Sequence, residues 1–316
     1  MRSRRRSLGL ARPLSAVLLS CVAWLTAGCS SSLAFGSSAP AGTVVVVGAE
    51  NEYADVIAQV GGKYVQVSAI MSNPNTDPHT FEASASVARV VSSAQLVVQN
   101  GAGYDTFMNT IESAVPSSSR QLIVVQKLLG LPDSIPNPHL WYQPATMPAV
   151  ADAIAARLSA LQPAHASFFR ASAAAFIGSL AGWNRAIAAL AATYPGVPVA
   201  TTEPVADYLL QAAGADNATP WALQADTMNG TDPSAQDVAA QRRLFTQHRV
   251  KVLLYNQQVT DSLTESFISL ARANGIPVVG VYETMPEPGY HYQSWMLAEV
   301  RDLRNAVAHQ TSSEHL

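Results

Sequence analysis

Four side chains carry the chemistry in this sequence: His79, His139, Glu203 and Glu283. Each lies beyond a run that reads as a β-strand. Glu203 comes directly after "VPVATT" (197–202) and Glu283 directly after "VVGVY". His79 lies eight residues beyond "YVQVSAIM" (64–71), and His139 sits in "IPNPHLWYQP", in the loop after "QLIVVQ" (121–126). Ligands of open α/β sheets gather outside the carboxyl ends of the strands, so all four are expected to point into one cleft. Two imidazoles and two carboxylates make a complete ligand set for a divalent transition metal. Carboxylates are harder donors than imidazole or thiolate, which adds weight to Mn(II) or Fe(II), whereas intrinsic affinity favours Zn(II) over Mn(II).

Other residues compete for these roles. In "SNPNTDPHTFEAS" (72–84) two prolines exclude a helix. Asp77 is expected to shape the Pro-His turn or to accept a hydrogen bond from the other ring nitrogen of His79. Glu82 is expected to do the same or to cap the helix that follows. Glu203 suits the first turn of its helix as well as a metal. Glu287, in "EPG", rivals Glu283, and His291 is the reserve imidazole. Asn100, Tyr255 and Asn256 stand at strand ends and are placed to line the cleft.

The elements that must position these residues follow from the hydrophobic pattern. "TVVVVGAE" (43–50) reads as a buried strand, and further strands are expected at 64–71, 95–100 and 121–126, with helices between them. That alternation implies a mostly parallel sheet. From about 149 to 193 the chain reads as helix, interrupted at "LQPAHA", with Pro163 suited to the first turn of a second helix. Phe169, Ala173, Phe176, Leu180, Trp183, Ile187 and Leu190 form an apolar stripe along it. About 30 helical residues span roughly 45 Å, enough for a rigid spine. Alternation then returns, with strands at 197–202, 251–256 and 276–282. The expected fold class is α/β: two α/β lobes with mostly parallel sheets, joined by a long rigid spine helix, with the metal site in the inter-lobe cleft. The first lobe supplies the two histidines and the second the two carboxylates. The expected boundaries are 43–147 for the first lobe, 148–194 for the linking helices and 195–316 for the second lobe.

Residues 1–28 have an arginine-rich start, an apolar stretch and then small residues, the pattern of an export signal. The signal runs into "LTAGCSSS", which resembles a bacterial lipobox with Cys29 as the lipidated residue; "LLSC" at Cys21 is a second candidate. Residues 29–42, small and polar, read as a flexible tether. Of 19 basic residues five arginines lie in the signal, leaving 14 against 22 acids and a net charge of −8. That balance argues against a nucleic-acid partner, which needs a basic face. With Cys21 and Cys29 the only cysteines, the exported part has no disulfide and no thiolate ligand.

The four motifs also carry a resemblance. "NTDPHTFEASAS", followed by "VVQNGAGYDTFM", resembles the first-lobe motif of the cluster A-I metal-binding proteins of ABC importers, the periplasmic or lipoprotein receptors for zinc and manganese. "NPHLWYQPA" is similar to their second histidine motif, Asp-Pro-His-x-Trp, with Asn137 in place of the aspartate. "ATTEPVADYLL" resembles the third, which carries glutamate in manganese-type members and usually histidine in zinc-type ones. "VYETMPEPGYHYQSWM" corresponds to the fourth region, where aspartate is more usual and Glu283 is the residue carried over. The motifs occur in the family's order across the exported chain, and the acidic, histidine-rich loop of many zinc receptors is absent.

The resemblance implies an extracytoplasmic lipoprotein, monomeric and held to the membrane by its N-terminal lipid. It would capture Mn, Zn or Fe and deliver the ion to the permease and ATPase of an importer, without catalysis. The alternatives are a secreted metallohydrolase built on His79, His139 and one glutamate, a receptor for a chelated metal, and a surface adhesin or interaction lipoprotein that keeps the fold.

Overall fold

The computed structural model describes residues 42–73, 81, 84–286 and 288–316. Cys29, Asp77, His79, Glu82 and Glu287 lie outside the described residues. The run "VVVVGAE" forms β1 (Val44–Glu50), which pairs in parallel with β2 (Val65–Met71) and β3 (Leu96–Gln99); β4 (Gln121–Val124) extends the sheet beyond β3. The strand order is β2-β1-β3-β4. A second sheet comprises β5 (Pro198–Thr201), β6 (Asp216–Asn217), β7 (Leu253–Asn256) and β8 (Val278–Val281), in the order β6-β5-β7-β8 and again parallel throughout. The two sheets thus repeat one topology, although the sequence shows no repeat.

Parallel sheets bury both faces, and the side-chain alternation of β1 sorts its residues accordingly. Val47 and Ala49 pack with Val91 of α2 (Ala85–Ser93) and with Met108 and Ile111 of α3 (Thr106–Ala114). Val44 and Val46 face the opposite way, onto Tyr53, Val56 and Ile57 of α1 (Asn51–Gly61). α1 starts directly where β1 ends, and Gly48 permits this: a Cβ there would lie 2.6 Å from the Ala54 backbone nitrogen.

The two sheets are joined by α5 (Thr146–Leu161), a 3-10 turn opened by Pro163, α6 (Ala166–Ser179) and α7 (Ala181–Thr193). The expected spine is therefore two consecutive helices with Leu180 between them, and Gly178 and Gly182, both weak helix formers, flank the break. The apolar stripe from Phe169 to Leu190 is buried along both. One apolar cluster runs from Val46 in the first sheet, through Phe176 and Trp183, to Leu254 and Val279 in the second. Trp295, Tyr292 and Met296 of α12 (Tyr292–His309) complete it. Each such fully buried side chain contributes roughly 1.5–3 kcal/mol.

The outer face of the second sheet is covered by α10 (Ala235–Thr246) and α11 (Ser262–Ala273), through Phe245, Phe267 and Ile268. After α8 (Asp207–Ala212), two elements there were not expected from the sequence: β6, of only two polar residues, and α9 (Trp221–Met228). The run 121–126 also stops short as a strand, turning into a short helix, α4 (Val125–Leu128).

Candidate metal centre

In each sheet the chain reverses its direction of travel between two adjacent strands, β1 and β3 in the first and β5 and β7 in the second. Crevices at such switch points are where α/β folds bind ligands. Both carry the same residue types. Glu50 ends β1 and Asn100 follows β3; Glu203 follows β5 and Asn256 ends β7. Glu283 follows β8, the neighbour of β7.

His139 is fully buried at the start of a 3-10 turn, Leu140–Tyr142. Its loop is held by two asparagines. Asn100 donates to the Pro138 carbonyl at 2.8 Å, and the Asn137 Oδ1 accepts from the His139 backbone N–H at 3.0 Å and lies 2.8 Å from His139 Nδ1. The orientation of the Asn137 amide is fixed, because its Nδ2 donates to the Pro204 carbonyl at 2.8 Å. With Oδ1 as acceptor, Nδ1 carries a proton, which leaves Nε2 as the ring atom a metal would use. That Nε2 lies 3.3 Å from Glu283 Oε2.

Glu283 is fully buried and Glu203 nearly so. Asn256 stands between them and donates through Nδ2 to Glu203 Oε2 at 3.1 Å and to Glu283 Oε1 at 2.5 Å. Tyr104 donates its hydroxyl to Glu283 Oε2 at 2.9 Å. The backbone N–H groups of Glu283 and Thr284 both donate to Gln258 Oε1, at 2.6 and 2.8 Å. Three of the four expected donors therefore converge: His139 meets Glu283 directly, and Glu203 joins through Asn256. The fourth, His79, falls outside the described residues, and among the described residues His139, Glu203 and Glu283 approach one another but no three His, Cys, Asp or Glu side chains are grouped closely enough to hold a metal ion. His291, the reserve imidazole, instead sits at the start of α12 with an exposed ring, its Nδ1 2.7 Å from Asp55 Oδ1. Tyr255 faces the outer cluster with Phe267, whereas its neighbour Asn256 faces the cleft.

Two carboxylates escaped the sequence reading. Glu50 and Glu52 are fully buried, and their oxygens have no hydrogen-bond partner among the described residues. Burial raises both carboxyls well above the ordinary range. The negative charges of Asp105 and Glu52 add to this at Glu50, and those of Glu283 and Asp105 at Glu52. Asp105, which closes the loop after β3 by accepting from the Asn100 and Gly101 N–H groups at 2.6 and 2.9 Å, is pushed up by burial to about 6. The signal was present: Glu50 ends a predicted strand, the same position that singled out Glu203 and Glu283.

Comparison with known proteins bears on the family and the fold. Residues 46–306 match the model of the family described as zinc-uptake complex component A periplasmic. The manganese-binding lipoprotein MntA of Bacillus subtilis (strain 168) is 27% identical over 135 residues, 40% of this chain and 44% of that protein. The chain therefore aligns with less than half the length of that curated relative. Among solved structures, the periplasmic zinc-binding protein TroA of Treponema pallidum superposes with a TM-score of 0.71 at 19% identity, covering 84% of this chain and 99% of TroA. The substrate-binding protein FpvC of Pseudomonas aeruginosa, in complex with Mn2+, gives 0.70 at 19% identity, with 85% and 99% covered. These similarities share the two-lobed fold, and the family match spans nearly the whole described chain. The protein therefore belongs to the family described as zinc-uptake complex component A, periplasmic.

Proposed function

We propose that the chain captures one divalent transition metal ion, Mn(II) or Zn(II) with Fe(II) as a third candidate, between its lobes. His79, His139, Glu203 and Glu283 are its ligands, and the ion is passed to the permease of an ATP-driven importer. The observation that carries the reading is the buried approach of His139 Nε2 to Glu283 Oε2 across the lobes. In a metal-loaded site both atoms would turn from each other to the ion. Cys29 is the proposed lipid attachment point, which would keep a monomeric receptor beside its membrane partner. The proposed domain limits are those expected from the sequence, with the linking helices at 148–194.

Two carboxylates beside two imidazoles suit Mn(II) by donor hardness, while intrinsic affinity favours Zn(II). Four protein donors leave no open position for an activated water, consistent with binding and release rather than turnover. The single apolar cluster that continues through α6 and α7 supports a stiff connection, so release is proposed to involve local loop movement and modest lobe motion.

The test is native mass spectrometry with elemental analysis after exposure to equal free Mn(II), Fe(II) and Zn(II), repeated on Glu283→Gln and His79→Ala. One metal per chain, weakened in both variants, is the expected result. An apo wild type under all three metals would refute the reading.

A further inference from the structure

We propose that Asn51 is a positioning residue for the cargo site: from the first lobe it fixes the backbone that carries Glu283, and so sets how long the metal stays bound. The inference rests on the receptor reading above. Asn51 is the first residue of α1 and is buried. Its Nδ2 donates to the Met285 carbonyl at 2.7 Å, and its Oδ1 accepts from the Met285 N–H at 2.9 Å. One side chain satisfies both backbone polar groups of a buried residue two positions beyond Glu283. A neutral amide offers one donor and one acceptor side by side, which matches the N–H and C=O of one residue.

The contact continues along α1. Residues four apart share a helix face, and Asp55 and Gln59 follow Asn51 at that spacing. Asp55 Oδ2 accepts from the Tyr292 N–H at 2.9 Å, at the start of α12, where a carboxylate complements the helix dipole. Gln59 and Gln293 exchange two side-chain hydrogen bonds, of 3.1 and 3.0 Å. Met285, Tyr292 and Gln293 are thus held along one face of a first-lobe helix.

The backbone around Glu283 is held at several points: Tyr142 bonds the Tyr282 N–H and carbonyl at 3.3 and 2.7 Å on the near side of Glu283, and two further supports matter for release. Gln258, from the second lobe, holds the Glu283 N–H. Asn51, from the first, holds Met285. Moving Glu283 with its lobe away from His139 keeps the Gln258 bond and breaks the Asn51 pair. That pair therefore resists release in a way the Gln258 bond does not.

The test measures chelator-driven release of Mn(II) and Zn(II) by stopped flow from the purified full-length protein. Asn51→Ala is expected to release metal about 10–100 times faster, the scale of lost support around a metal ligand, with a smaller change in association rate. Asn51→Asp is nearly isosteric and keeps the acceptor for the Met285 N–H, so it should fall between wild type and Asn51→Ala and guards against a variant that misfolds. Gln59→Ala, at the far end of the stripe, should change release less than about twofold. In a Glu283→Gln background, Asn51→Ala should add less than about twofold, because the two act as one unit.

Release from Asn51→Ala within twofold of wild type would overturn the inference. So would an equal factor in both backgrounds, or a Gln59→Ala effect as large as that of Asn51→Ala. A wild type that binds neither metal overturns the receptor reading itself, whereas a binding wild type with an unaffected Asn51→Ala overturns the inference alone.

Discussion

Asn137 bonds through Nδ2 to the carbonyl of Pro204, the residue after Glu203, while its Oδ1 orients His139. One side chain thus ties a donor of the first lobe to the neighbour of a donor of the second. An aspartate, more usual at this place in the motif it resembles, would hold the imidazole but has no proton for Pro204. Asn137→Ala is expected to lower metal affinity about 10–100-fold, by loss of support to the histidine. Asn137→Asp keeps the imidazole partner and should lose less than about tenfold. Competition titration against a chromophoric chelator measures both, and equal affinities for wild type and Asn137→Ala would show that His139 needs no such partner.

Asn256 does for the carboxylates what Asn137 does for the imidazole. Its Nδ2 donates to Glu203 and Glu283 together, and its Oδ1 accepts from the Gln258 N–H at 3.0 Å. Asn256→Asp keeps the last bond but turns the shared donor into a third carboxylate in a buried cluster. Leaving buried charges unpaired costs about 3–5 kcal/mol, so the metal-free variant should melt well below wild type. A bound cation relieves the same repulsion, so the rise in melting temperature on adding Mn(II) or Zn(II) should be larger than for wild type. Scanning calorimetry with and without metal decides this, and an unchanged metal-free melting temperature would count against the geometry.

Gly48 sets how closely α1 can follow β1. A Cβ there meets backbone on the next helix, 2.6 Å from Ala54 N and 2.9 Å from Ala54 Cα, and backbone cannot rotate away. Gly48→Ala should therefore displace α1, which carries Asn51, Glu52 and Asp55. Overpacking of this kind costs typically about 1–3 kcal/mol. Urea unfolding should show that loss, accompanied by weaker metal binding. A stable variant with full affinity would mean that the β1–α1 junction tolerates more than its contacts suggest.

The order of elements was legible because each strand is a β-branched run and each helix an apolar stripe, and these periods survive without tertiary context. Glu203 and Glu283 could be singled out because each directly follows such a run, and His139 because it lies in the loop beyond one. β6 was not, because Asp216 and Asn217 carry no strand propensity and pair only because β5 is beside them. Glu50 and Glu52 were overlooked although the strand-end rule applied to Glu50. Their significance lies in complete burial with no hydrogen-bond partner among the described residues, a property of the packed chain. The clamps of Asn51 and Asn137 join residues 234 and 67 positions apart. No local pattern encodes which backbone group a buried asparagine will meet.

Glu299 gives the protein a dependence on pH whose sign can be worked out. It is buried beneath the Glu283 strand end, with Tyr142 donating to Oε1 at 2.8 Å and Trp295 Nε1 at 2.7 Å. Burial pushes its carboxyl up to about 8, against the pull of those two bonds. The unfolded chain gives up this proton near the ordinary value of 4.5. Between these values the native state holds a proton that the unfolded state has released, so raising the pH draws the equilibrium toward unfolding. The slope is at most about 1.4 kcal/mol per pH unit for one proton. Glu50 and Glu52, also raised by burial, act in the same direction in the metal-free protein. Stability of the metal-free chain should therefore fall from pH 5 to pH 8. Glu299→Gln keeps an acceptor for Trp295 but has no proton to lose, so denaturant titrations across that range should show a shallower decline and a more stable variant at pH 8. An identical slope in wild type and variant would mean that Glu299 is already ionised in the native protein, and that the Tyr142 and Trp295 bonds outweigh its burial.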